Sequence, residues 1–202
     1  MLFMEPIVTF LSIYTAFNFS VLFGFFDAFP IVFEGVYHFN IGESGLAFLG
    51  LGIGCVLATG LLILIDRLGY RKKTMRRRAS GDVTPLAPEE RLYTAILGSF
   101  LLPISLFWFA WTARADVHWI VPIISTIFFG AGNLLIFCSS MLYLIDMYKS
   151  IAGASAAAAN GLLRYMCGAV FPLFTVQMYN TLCIGWGTSL LGFVTVALLP
   201  IP

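Results

Sequence analysis

Residues 45–65 read GLAFLGLGIGCVLATGLLILI, and the seven that follow, Asp66-Arg67-Leu68-Gly69-Tyr70-Arg71-Lys72, bring an abrupt cluster of charge. An α-helix rises about 1.5 Å per residue, so about 20 apolar residues cross the roughly 30 Å hydrocarbon core of a bilayer. A run of this length, closed by charged residues, reads as a membrane span ending at an interface. In lipid, backbone amides must bond within their own segment or in a closed barrel. Barrel strands alternate apolar and polar residues over about ten positions, and residues 45–65 do not.

Outward from this stretch, five more apolar runs meet the same criterion: Ile7–Pro30, Leu92–Ala113, Trp119–Ile145, Ala152–Gln177 and Ile184–Pro202. With Gly45–Ile65 they predict an all-α polytopic membrane protein, a single bundle of six transmembrane helices over residues 1–202. The composition agrees, being 60% hydrophobic and 10% charged, whereas soluble domains carry about a quarter charged residues. The lipid bilayer is therefore the first expected partner. A net charge of +1 argues against a nucleic-acid binder, which needs a basic face. The start, Met1–Pro6, carries Glu5 in place of a basic segment, and the apolar run behind it is long enough to span, so no signal peptide is expected. Cys55, Cys138, Cys167 and Cys183 form no CxxC pair. They suggest neither a zinc site nor a disulfide framework, and are expected to be small apolar packing residues.

Eight of the eleven basic residues, Arg67, Arg71, Lys72, Lys73, Arg76, Arg77, Arg78 and Arg91, fall in the second connection. By the positive-inside rule this loop, residues 66–91, is cytoplasmic, and both termini with it. Within it, Pro88-Glu89-Glu90-Arg91 has the order of a helix start, with proline in the first turn and carboxylates near the positive end of the helix dipole.

Polar groups inside spans are the candidates for function, because hydrocarbon isolates them at a cost. Arg164 falls near the middle of the fifth span, with Asn160 one turn earlier on the same face and Phe171 seven residues later. Asn18 and Asn133 lie at similar depth. Asn18, Asn133, Asn160 and Arg164 are expected to line a central cavity; the competing reading is interhelical hydrogen bonding alone. Asp27, toward the outer end of the first span, and Glu34 just beyond it are candidates for proton coupling, as against carboxylates that simply meet water. Asp146 is a weaker one, and His38 and His118 read as solvated loop residues. Gly50 with Gly54, Ala157 with Gly161 and Thr126 with Gly130 are small residues spaced for close helix packing. Gly50-Leu51-Gly52-Ile53-Gly54 lacks the spacing and the preceding strand of a dinucleotide site, so no cofactor is implied. Pro103, Pro122 and Pro172 are expected to kink their helices, and Trp108, Trp111 and Trp119 to form an interfacial belt. No catalytic constellation or metal-ligand pattern such as HExxH appears, so an enzyme is not expected.

Asp66, Arg67, Gly69, Arg71 and Lys72 resemble the cytoplasmic loop motif G-x-x-x-D-R-x-G-R-R/K of the major facilitator superfamily. Leu62 stands where the motif has its first glycine, and Tyr70 intrudes before the bases. The segments Pro88–Leu92, Leu101-Leu102-Pro103-Ile104, Phe107–Thr112, Leu163-Arg164-Tyr165 and Gly168–Phe174 resemble one branch more closely, the fungal drug:proton and polyamine antiporters. The resemblance covers nearly the whole chain and implies the C-terminal half of such a transporter, built of two inverted three-helix repeats. It further implies proton-coupled export of small organic compounds, drugs or polyamines, at the plasma membrane. The charged run Asp66–Lys72 itself reads either as a cytoplasmic gating latch that favours one closed state or as a stop-transfer cluster attracted to anionic lipid. The partners the resemblance implies are a small organic substrate, protons and the missing N-terminal six-helix half. The alternative expectation is a non-transporting scaffold or regulatory partner derived from a transporter half.

Overall fold

The computed structural model describes residues 6–71, 75, 92–148 and 151–201. Most of the described residues are helical, and five of their helices are long and apolar enough to cross a membrane. Helix α1 (Pro6–Phe29) continues into a wider π-helical stretch, Pro30–Glu34, so the helix outlasts the proline at which the sequence reading ended it. Tyr37 in the following turn donates its hydroxyl to the carbonyls of Thr112 and Arg114, at 3.2 and 2.9 Å. This ties the Glu34 end of α1 to the far end of α3 (Leu92–Thr112). Helix α2 (Ile41–Ile65) starts four residues before Gly45, because the Glu43 carboxylate accepts the Asn40 backbone N–H at 2.9 Å and so secures the first turn. It runs into a second π-helical stretch, Asp66–Arg71. Helix α4 spans Ile120–Tyr148.

The last element, α5, is continuous over Ile151–Ala197, 47 residues with a non-helical backbone at Cys183. At about 1.5 Å per residue that is roughly 70 Å, more than twice the thickness of a hydrocarbon core. The sequence reading placed two separate runs here, with residues 178–183 as a connection. The structure keeps helix on both sides and reverses direction at Cys183, whose φ is 60° and ψ 164°. The reversal is visible in the contacts across it. Tyr179 and Thr188 share a hydrogen bond at 3.2 Å, and a Cβ on Gly187 would meet the Tyr179 ring at 3.0 Å. In a straight helix residues eight apart are about 12 Å apart along the axis.

Glycines set the closest approaches. A Cβ on Gly54 would collide with the backbone carbonyl of Ile127, and one on Gly50 with the Thr126 hydroxyl. A Cβ on Gly130 would lie 2.7 Å from the Leu51 carbonyl. The Gly50/Gly54 and Thr126/Gly130 pairs thus face each other, and α2 and α4 pack in parallel. The Ala157/Gly161 pair does not work this way, since a Cβ on Gly161 would meet only the Tyr165 ring at 3.8 Å. In α5 the buried face is Ala156, Asn160, Arg164, Gly168 and Thr175, spaced by one or two helical turns and set against α1. The second arm of α5 returns along α3, with Gly192 against Phe107 and Gly185 near the Ala110 carbonyl.

The core at the Glu34 end is aromatic. Phe25 stacks on Phe129 at 4.2 Å between centroids, and Phe29 on Phe48 at 4.2 Å. Trp111 and Trp119 are exposed at this end, consistent with an interfacial belt, while Trp108 stacks on Phe128. Pro103 and Pro172 lie inside helices, but Pro122 sits in the first turn of α4, where its missing N–H interrupts nothing. Cys55, Cys138 and Cys167 are half-buried; Cys183 is exposed at the reversal and is not a packing residue. The Pro88–Arg91 helix start lies outside the described residues.

Candidate functional site

One face of α1 meets one face of α5, and the polar residues there divide into two kinds of environment. Asn160 is 3% exposed and its amide donates to the Thr15 hydroxyl at 2.8 Å and to the Ser12 hydroxyl at 3.3 Å. Arg164, one turn along, finds no such hydroxyls on α1. Its position on α1 is occupied instead by Phe19, whose ring would lie 3.0 Å from a Cβ on Gly168.

The Arg164 guanidinium is surrounded by three aromatic rings. Its central carbon lies 4.5 Å from the Phe137 centroid, 4.8 Å from Phe19 and 5.0 Å from Tyr165. Ring quadrupoles attract a desolvated cation by about 2 kcal/mol each in favourable cases, which helps hold an arginine that is only 9% exposed. Rings do not satisfy its N–H groups, however. One terminal nitrogen donates to the Tyr165 hydroxyl at 3.2 Å, and Nε has no hydrogen-bond partner among the described residues.

Asn18 faces the same space. It is 3% exposed, and its side-chain amide, beside the Tyr14 hydroxyl, makes no close hydrogen bond among the described residues. Its backbone carbonyl accepts the Asn133 side-chain amide at 3.0 Å, joining α1 to α4 at mid-length. Asn18, Asn133, Arg164 and the three rings belong to the lining of one cavity of about 330 Å³, completed by residues of α2 such as Leu51 and Cys55. Among the described residues the lining holds one cation and no carboxylate.

The structure therefore brings together three of the four expected cavity residues. Asn160 is the exception: it is not part of the lining and serves as a tie between α1 and α5. The aromatic cage was not expected from sequence, although Phe137 stands one turn after Asn133 and Phe19 directly follows Asn18. Asp27 and Glu34 are outside the lining. Asp27 is half-buried with Oδ2 lacking a hydrogen-bond partner among the described residues, whereas Glu34 is exposed. In the charged motif, Asp66 is half-buried and makes polar interactions, and Arg67 is exposed. Gly69 and Arg71 lie in the π-helical stretch, and Lys72 is outside the described residues. Among the described residues no cluster of three or more potential metal ligands occurs.

No protein-family model matches the chain. Curated relatives do, over its full length. It is 42% identical over 224 aligned residues to polyamine transporter 4 of Saccharomyces cerevisiae, 100% of this chain and 34% of the relative. Efflux pump FUB11 of Gibberella fujikuroi is 46% identical over 202 residues, with 100% and 34% covered. MFS transporter prlG of a fungal species is 44% identical over 202 residues, with 100% and 41% covered.

The chain belongs to the major facilitator superfamily. It corresponds to a C-terminal part of these relatives and spans between 34% and 41% of their length. This major facilitator chain is an integral, multi-pass membrane protein whose relatives are transporters and efflux pumps, not enzymes. The sequence resemblance and the full-length similarity agree on the family.

Proposed function

We propose that the chain is the C-terminal six-helix half of a transporter that exports small organic compounds by alternating access. The two arms of α5 are then the fifth and sixth spans, with the Cys183 reversal at the outer surface. The observation that carries the reading is the cavity at Asn18, Asn133 and Arg164: buried, incompletely hydrogen-bonded polar groups at mid-length in a membrane bundle mark a substrate path. A scaffold has no use for such a costly group.

Alternating access in this superfamily rocks one six-helix half against the other about a site at the midplane. The second half closes the cavity face formed by α1, α2, α4 and the first arm of α5. Export is driven by protons at the plasma membrane, with Asp27 as the proton carrier. A half-buried carboxylate whose Oδ2 is not hydrogen-bonded within the described residues can hold a proton in one state and release it in the other. Asp66, Arg67, Gly69, Arg71 and Lys72 latch the cytoplasmic side, since charge pairs made in only one state bias the equilibrium toward it.

The test is export from proteoliposomes containing the chain joined to the N-terminal half, under an imposed proton gradient. Gradient-dependent efflux in the joined protein is expected, with Asp27→Asn losing the gradient dependence while retaining substrate exchange. Efflux that ignores the gradient in the wild-type protein overturns the coupling, and absence of any transport overturns the export reading.

A further inference from the structure

Resting on the cavity reading above, we infer that this cavity takes the carboxylate of a small amphipathic organic acid, bound by Arg164 and Asn18. Charge points to an anion. Among the described residues Arg164 is the single ionic group of the lining, with no carboxylate beside it. A cation in such a place is stabilised most by a partner anion that arrives with its own hydrogen-bond acceptors. The same lining opposes a linear polyamine, whose ammonium groups would meet Arg164 with no acidic side chain to offset the repulsion.

Hydrogen bonding points the same way. Arg164 is 9% exposed, and of its five N–H groups one is paired, with the Tyr165 hydroxyl; Asn18, 3% exposed, sets its amide beside the Tyr14 hydroxyl and has no closer hydrogen-bond partner among the described residues. A carboxylate has two oxygens to accept from them. Asn18 Oδ1, also without a partner there, remains for a hydroxyl or N–H elsewhere on the ligand. Shape and surface also fit. Phe19 and Phe137 hold the guanidinium by their ring faces without using its hydrogens, and Tyr165 takes only one of them, at its hydroxyl. Leu22 and Leu51 provide an apolar wall for the rest of the ligand. At about 330 Å³ the cavity is near the small end of ligand pockets, which start at about 300 Å³, and suits a single-ring acid. One cation without a second favours a monoanion over a phosphate.

Calorimetric titration of benzoate, benzamide and benzylamine into the joined two-half protein in lipid nanodiscs tests this. Benzoate is expected to bind about 10-fold or more tightly than benzamide, as a charge-assisted pair predicts, and benzylamine more weakly than both. Arg164→Gln is expected to erase the preference for benzoate and Arg164→Lys to keep part of it. Asn18→Asp is expected to weaken benzoate while sparing benzamide, which covers the case in which Arg164→Gln does not fold. Equal binding of benzoate and benzamide, or tightest binding of benzylamine, overturns the acid while the export reading stands. Binding of none of the three also overturns it, and export is then judged by the gradient assay alone. Should Arg164 instead pair with an acid of the N-terminal half, benzoate shows no preference and the inference falls.

Discussion

At the scale of single residues, Asn160 and Arg164 show how one helical turn separates an amide tied to hydroxyls from a cation caged by rings. Asn160→Ala removes two hydrogen bonds to Ser12 and Thr15 and leaves buried hydroxyls behind. It is expected to destabilise the protein by about 1–3 kcal/mol, read as a lower melting temperature in detergent. Arg164→Gln is expected to do the reverse, abolishing or redirecting transport with the protein still inserted and folded. Both residues were visible in the sequence as polar groups on one face of one span. Which of them meets hydroxyls and which meets rings depends on α1, 145 residues or more away in the chain, and no local pattern carries that information. Cys183 is a second case. Its φ of 60° with ψ of 164° belongs to a region that essentially only glycine occupies without strain, a cost of order 1–3 kcal/mol. Cys183→Gly is expected to raise the melting temperature, and a fall would argue that the backbone there is not strained.

At the scale of elements, helix contacts depend on glycines that look alike in sequence and differ in structure. Gly54→Ala places a methyl group against the Ile127 carbonyl, whereas Gly52→Ala meets nothing within 4 Å. The first is expected to cost about 1–3 kcal/mol through overpacking and the second to be close to neutral, compared by thermal denaturation of the two variants. Five long helices were legible because apolar length alone reports a span. The spacing of Gly50 with Gly54 and of Thr126 with Gly130 correctly signalled close packing, but the same spacing at Ala157 and Gly161 did not. Small residues permit an approach; whether a neighbour makes it is settled by the bundle. The reversal in α5 was legible only as a gap in hydropathy. A one-residue turn leaves its mark on the backbone at Cys183, with few polar residues to announce it.

At the scale of the whole molecule, the bundle has a packed side and an unfinished one. Helix α3 lies between α4 and the second arm of α5, and the Phe25, Phe29, Phe48, Phe109 and Phe129 cluster fills one end. The cavity opens among α1, α2, α4 and the first arm of α5. That division is what a transporter half needs, one rigid body carrying one wall of a shared site. Cys55 lies in this wall and is half-buried, so it reports on occupancy. The decisive measurement is the rate of alkylation of Cys55 in the joined protein, with Cys138, Cys167 and Cys183 replaced by serine, with and without a saturating transported compound. Substrate is expected to slow modification of Cys55 several-fold, and Arg164→Gln to remove this protection. An alkylation rate unchanged by a compound that the same protein is exporting would contradict this, placing the transport site elsewhere.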